Sequence, residues 1–301
     1  MNVVQRLHPE RLAIFLFHGV IETDNHSVRN YTKKHILKKE FSNIIDALKR
    51  KGKSISLDAV VDHIKSKQPF PPYSFAITFD DGFDNNYTIA APILSDKKCP
   101  ATFFVTTSFI ESNEMSWIDK IEYGFETLSH GSIRLPWHPE HRTFRDVREK
   151  IRLLEEIRQN VKKDPFIDFD EFVHDVFKQF GIAVVTVSED PVDKKMGWHQ
   201  VKALNEDSDF IVGGHSHNHL ILSHLKPQEL IDEVRTSILL LNDKAGVGPD
   251  YYSYPEGLEF CYSDSVISVL KNQGVVCCPT AIDGSNSLDT NLFELKRIAV
   301  C

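Results

Sequence analysis

Short apolar runs that recur between amphipathic segments constrain this chain more than any other feature, because that alternation is the pattern of βα units on a mostly parallel sheet. The runs are Ala13 to Phe17, Phe75 to Phe79, Thr102 to Val105, Phe210 to Gly214, Tyr251 to Tyr254, Val275 to Cys278 and, the weakest, Lys296 to Val300. About seven strands result, enough for the sheet to curl into a barrel. Between them, Glu40 to Lys51 places Phe41, Ile44, Ile45 and Leu48 on one helical face and stops at Gly52, as a glycine-capped helix does. Pro227 to Asn242 and Ser263 to Asn272 read the same way. From about 112 to 196 the rhythm breaks, with charged helical segments near Val147 to Lys162 and Asp170 to Phe180. The expectation is an α/β chain, one domain over 1–301, with a helical insertion on one face.

Acidic residues number 43 and basic residues 35, with no Lys/Arg stripe, so a nucleic-acid partner lacks its electrostatic footprint and a neutral substrate such as a sugar fits better. The five cysteines are odd in number and show no CxxC spacing, which reads as reduced thiols. The apolar run from Leu12 to Phe17 is too short to span a membrane and is followed by no small-residue cleavage site. A cytoplasmic protein, at most peripheral to the inner membrane, is expected.

Parallel βα architectures gather chemistry at the carboxyl ends of their strands. Two such ends stand out. In SFAITFDDGFDNNY, Asp80 and Asp81 follow an apolar run, and two adjacent carboxylates are costly unless something positive lies beside them. The plain alternative is a polar turn with a helix N-cap; the ligand spacing of an EF-hand is absent. In DFIVGGHSHNHL, three histidines follow a strand: a continued strand puts His215, His217 and His219 on one face, whereas a turn after His215 pairs it with His219 and sends His217 elsewhere. Imidazoles with a carboxylate make a three-ligand site that leaves positions open, the catalytic zinc pattern.

These clusters, in this order, resemble the polysaccharide deacetylase family, carbohydrate esterase family 4. Its TFDDG motif stands at Thr78 to Gly82 and its H-[ST]-x-x-H motif at His215 to His219, and similarity extends to PILSDKKCPATFFV and to SYPEG, Ser253 to Gly257. The resemblance implies a distorted (β/α) barrel in which Asp81, His215 and His219 hold one divalent ion, zinc with cobalt, nickel or manganese as alternatives, and Asp80 is the general base. It also implies an oxyanion donor in the backbone N–H of Glu256, after Tyr254 and Pro255. The implied reaction frees an amino sugar and a short carboxylate, on a substrate that is free, nucleotide-linked or lipid-linked, in surface-polysaccharide or lipopolysaccharide assembly.

The chain departs from the common family pattern in three places. Ser253 stands where the base-orienting arginine is usual, the fourth motif is unrecognisable, and LKRIAV replaces the late LxH. A branch similar to the poly-N-acetylglucosamine deacetylases takes its acid from an early strand, which nominates His18 in Phe17-His18-Gly19-Val20; the plain alternative is a core histidine. Arg297 is a candidate for the missing arginine's role, against a salt-bridged surface arginine. Tyr87, Trp117, Trp198, Tyr252 and Tyr254 are candidates for sugar stacking, of which at most two are expected to serve. Two rival readings are an amidase or deformylase acting on a nucleotide sugar or other non-polymeric amide and a silent glycan-binding member of the fold; Asp80 argues against the latter, since a binder needs no second carboxylate.

Overall fold

A computed structural model describes residues 3–301, so the first two residues of the expected 1–301 domain lie outside the described residues. In chain order the elements are β1 (Ala13–Phe17), β2 (Gly19–Ile21), β3 (His35–Leu37), α1 (Lys38–Lys51), α2 (Leu57–Ser66), β4 (Phe75–Phe79), α3 (Ala91–Asp96), β5 (Ala101–Val105) and α4 (Thr107–Ser112). Then come α5 (Trp117–Thr127), β6 (Gly131–Arg134), β7 (His141–Phe144), α6 (Val147–Val161), α7 (Phe169–Phe180), α8 (Trp198–Glu206), β8 (Phe210–Gly214), α9 (Pro227–Ala245), α10 (Asp264–Asn272) and β9 (Ile298–Ala299).

Five strands form one sheet in the order β8-β5-β4-β1-β9 with all pairs parallel. The register sets Phe17 beside Phe79, Phe79 beside Phe103 and Val105 beside Gly214, so the strand tips align. Every residue of β1, β4 and β5 is buried, because a parallel sheet is covered on both faces. Phe15, Phe17, Phe79 and Phe103 join Phe41 and Ile45 of α1 in one core. Within it the rings of Phe17 and Phe79, and of Phe79 and Phe103, stack at 5.4 and 5.0 Å. The alternate side chains Ile14, Ala76 and Phe104 meet Cys277 and Leu295 from the far side, as a curving sheet requires.

The expected strands at Tyr251 to Tyr254 and Val275 to Cys278 are single parallel bridges, Gly214 with Tyr252 and Tyr251 with Cys277, which continue the sheet past β8. Their ladders stop for local reasons. Val276 and Cys277 both donate to the Asp250 carbonyl, at 2.9 and 3.1 Å, and after Tyr254 comes Pro255, which has no N–H to give. The last expected strand shortens to β9 because Lys296 and Arg297 donate their N–H groups to Asn286 and Ile282. Hydrogen bonds from Cys278 to Leu292 and from Thr280 to Leu295 tie the far end of this arc to the segment leading into β9. The result is the expected α/β arrangement of a distorted barrel.

Gly52 ends α1 with its N–H on the Leu48 carbonyl, but at φ −140° it is extended rather than left-handed. The glycine is needed for space: a Cβ there would lie 2.0 Å from the Tyr73 carbonyl oxygen.

The segment expected as a helical insertion holds α5, α6 and α7 around its own apolar core of Phe125, Phe144, Leu154, Ile157, Val173 and Phe177. It also contains an antiparallel hairpin, β6 with β7, that the sequence reading leaves unassigned. Asp146 and Asp168 start α6 and α7 by accepting the N–H groups of Glu149 and Glu171, both at 2.9 Å. No described helix is long and apolar enough to cross a membrane, and all five cysteines are free thiols.

Candidate active site

The tips of β1, β4 and β8 carry His18, Asp80 with Asp81, and His215. Between β4 and β8, the tip of β5 holds the histidine loop in place: Thr106 donates its hydroxyl to the His215 carbonyl at 2.9 Å, and the N–H groups of Thr107 and Ser108 go to the carbonyls of Ser216 and His217. The chain turns after His215, with Ser216 at φ 63° and His219 at φ 57°, and brings His219 back against His215 with ring centroids 4.9 Å apart. His217 points away and bonds Thr107 at 2.8 Å. The turned alternative is therefore the one observed. On the facing tip Asp81 is also left-handed, φ 73°, followed by Gly82 at φ 83°. Such backbone costs about 1–3 kcal/mol per residue and persists where the surroundings fix it.

Asp81, His215 and His219 each direct a ligand atom into one space, all within 4.8 Å of one another. The Asp81 Oδ1 lies 3.6 Å from the His215 Nε2 and 3.3 Å from the His219 Nε2. His215 Nδ1 sits 3.0 Å from the Ser253 carbonyl, which can only accept, so Nδ1 carries the proton and Nε2 turns a lone pair toward the carboxylate. At 3.6 Å, lone pair and carboxylate are too far apart to bond each other and suitably placed to share a cation. The donor set fits a divalent ion, and the Ser253 contact is the outer support that metal-ligating histidines commonly have.

Asp80 is gripped by Arg297, fully buried, whose Nη1 and Nη2 each reach one carboxylate oxygen at 2.7 Å. The guanidinium is itself held by the Thr280 carbonyl at 2.6 Å and by Thr78 at 3.3 Å. The surface-arginine alternative is thus excluded. Ser253, at the family arginine's position, has its hydroxyl 2.7 Å from His215 Nδ1 and 3.4 Å from Asp80 Oδ1.

Electrostatics sort these groups. Burial would raise the Asp80 carboxyl, but Arg297, His215 and His18 together outweigh it and hold it below the usual carboxylate range. Burial opposes ionisation of Asp81 too, yet the His219 bond and charge hold it well below. Burial depresses His215 to about 4 and lowers His18, while the Asp81 partner raises His219 against burial. Near neutral pH the site presents two carboxylates beside neutral His215 and His18.

Glu256 stands at φ 61° after buried Pro255 at the cleft wall, and among the described residues its N–H donates to no protein acceptor. Its side chain pairs with Lys162 of the insertion. Tyr254 and Tyr252 are fully buried, their hydroxyls near the Phe293 carbonyl at 3.1 Å and Ser237 at 2.9 Å. Tyr254 stacks on Tyr262 at 4.7 Å and so cannot reach a substrate, which corrects its expected place at the binding surface. Of the five aromatic candidates only Trp117 lines the cleft among the described residues.

Sequence reasoning missed four residues here. Lys34, Arg158 and Lys162 line the cleft, and Glu233 of α9 accepts the Asn218 N–H and side-chain amide beside His219. Nothing local flags them, since each acts through a partner distant in sequence.

A family model, polysaccharide deacetylase, matches residues 67–165 and 168–278. The chain belongs to the polysaccharide deacetylase family. That membership makes it a carbohydrate deacetylase in the broad sense. No curated protein sequence matches it. Solved structures with a similar fold include the Streptococcus pyogenes deacetylase PplD in complex with acetate, at TM-score 0.61 and 15% identity, covering 97% of this chain and 93% of that one. IcaB from Ammonifex degensii matches at TM-score 0.61 and 15% identity over 98% and 94%. The BpsB deacetylase domain from Bordetella bronchiseptica matches at TM-score 0.56 and 18% identity over 97% and 97%. At these identities the likeness is one of fold, and it spans the polysaccharide deacetylase chain nearly end to end.

Proposed function

We propose that this family member is a metal-dependent hydrolase that removes an N-acetyl or other short N-acyl group from an amino sugar. The observation that carries the reading is the convergence of Asp81, His215 and His219 within 4.8 Å, beside an Asp80 that Arg297 keeps ionised. A divalent ion held by the trio, zinc or alternatively cobalt, nickel or manganese, would supply Lewis acidity and bring a water's pKa toward about 7.

The chain's own groups do the rest. Asp80 accepts the proton of the attacking water, and Arg297 fixes the carboxylate's orientation so that one oxygen faces the nucleophile. The free N–H of Glu256 donates to the oxygen of the former carbonyl as charge develops on it. His18, neutral at rest, must first take up a proton; its imidazolium then gives a proton to the departing nitrogen, and the proton that Asp80 takes from the water makes up the balance. Water adds across the C–N bond, and the products are the amine and the carboxylate.

The names of two neighbours support the reading, one a deacetylase holding acetate and the other a deacetylase domain. His18 further suggests the branch with an early-strand acid, and we assign the substrate to amino sugars of surface polysaccharide or lipopolysaccharide, free, nucleotide-linked or lipid-linked. The test is Asp80→Asn. Acetate release from N-acetylated hexosamines should drop by about 10²–10⁴-fold with the metal still bound. Undiminished release would remove Asp80 from the chemistry.

A further inference from the structure

We propose that the catalytic cleft is a pocket for one sugar residue, which takes a free N-acylated sugar or the terminal unit of a larger molecule and excludes the interior residues of a polysaccharide. The proposal rests on the deacetylase reading above and names the form of its substrate.

The cleft, partly open to solvent, offers about 250 Å³, below the roughly 300 to 1,000 Å³ of pockets that take drug-sized ligands. That is room for one ring and its acyl group, not for a run of rings. Its floor is the strand tips with Asp80, Asp81 and the histidines. Its roof comes from two other places: Thr32 and Lys34 of the loop after β2, and Trp117, Ile118, Arg158 and Lys162 of the insertion.

The roof is fixed rather than hinged. Asp119, Glu122 and Glu126 lie three or four apart on one face of α5, and all three bind the loop before β3. Lys34 reaches Asp119 at 2.7 Å, and the Asn30 N–H reaches Glu122 at 3.3 Å. Three successive N–H groups, of Ser27, Val28 and Arg29, converge on the Glu126 carboxylate at 3.0, 2.6 and 3.0 Å. Val28 is buried in the insertion's apolar core, so loop and insertion pack as one body. Asp119 and Glu122 are buried, and lifting the roof would strip buried charges of their partners.

A strut then joins roof to floor. The Lys162 ammonium at the end of α6 pairs with the half-buried Glu256 carboxylate of the cleft wall and narrows this side. A polysaccharide lying through the site needs an open trough. The observed walls admit a chain end.

The experiment uses the metal-loaded full chain with N-acetylhexosamine oligosaccharides from monomer to pentamer, mass spectrometry locating each free amine. Acetate should leave the monosaccharide and one terminal unit, with interior units slower by at least about 100-fold. Interior removal at a comparable rate overturns the pocket and leaves the deacetylase standing. No acetate from any sugar overturns both. Independently of turnover, amide hydrogen exchange should find Ser27, Val28 and Arg29 protected in the unliganded protein. Exchange at the rate of an open loop would mean that the roof lifts, and the proposal would fail.

Discussion

The floor and the roof of the cleft are built by different physics. The floor stands on strands packed through Phe17, Phe79 and Phe103, and part of the candidate site sits on strained backbone: Asp81, Ser216, His219 and Glu256 are four of the ten described non-glycine residues with positive φ. A stiff apolar sheet can pin such backbone, which is how catalytic groups acquire a single orientation. The roof is held together by charge pairs and charged hydrogen bonds across long stretches of sequence, as from Ser27 to Glu126 and Lys34 to Asp119. Floor geometry should therefore resist changes of pH and salt, and roof geometry should feel them.

The sharpest way to break this contrast is at the floor's buried ion pair of Asp80 with Arg297. Arg297→Ala leaves the Asp80 charge uncompensated in the interior, and denaturant unfolding should lose about 3–5 kcal/mol. A loss below about 1 kcal/mol would mean that the pair is solvated and the floor is not the dry platform described. Next is Glu126→Ala, which frees three backbone N–H groups of the roof loop and should cost about 1–2 kcal/mol. Its footprint in hydrogen exchange should be confined to the loop before β3 and to α5; a footprint in β4 or β5 would merge the two regions.

The smallest effect belongs to His26, bridged to Asp24 at 3.1 Å and Asp190 at 2.9 Å within the roof. Burial would lower its pKa, but the bonds of Asp190 and Asp24 prevail and raise it. A raised folded-state pKa gives stability that is complete below the unfolded value of about 6.5 and is lost as pH rises through the folded one. His26→Gln should then cost a few tenths of a kcal/mol at pH 5 and almost nothing at pH 8. An equal cost at both values would show that the imidazolium plays no part.

The same division explains what could be read from the sequence. The bounds of β1, β4 and β8 are legible to the residue because strands in a covered parallel sheet are continuous apolar runs. The Asp81, His215 and His219 cluster is legible because Asp81 and His215 stand at the ends of those runs and His219 lies one turn beyond. Tyr251 to Tyr254 and Val275 to Cys278 look like strands, but their ladder hydrogen bonds are spent elsewhere, which composition does not record. The β6–β7 hairpin is hidden because only Ile133 and Phe144 among its strand residues are buried, too few for a period to emerge. Arg297 was visible only as a candidate: its partner lies 217 residues away, and no spacing rule links them. The roof contacts, carboxylates meeting backbone N–H groups across the chain, leave no local trace at all.

The central claim is that the floor's trio holds an ion on which hydrolysis depends. Chelator-stripped protein titrated with zinc, with acetate release from an N-acetylated hexosamine as the readout, tests it most directly. Turnover should be absent from the stripped protein and return in full at about one ion per chain, with Asp81→Asn failing to recover. Stripped protein that turns over at an undiminished rate would contradict the account.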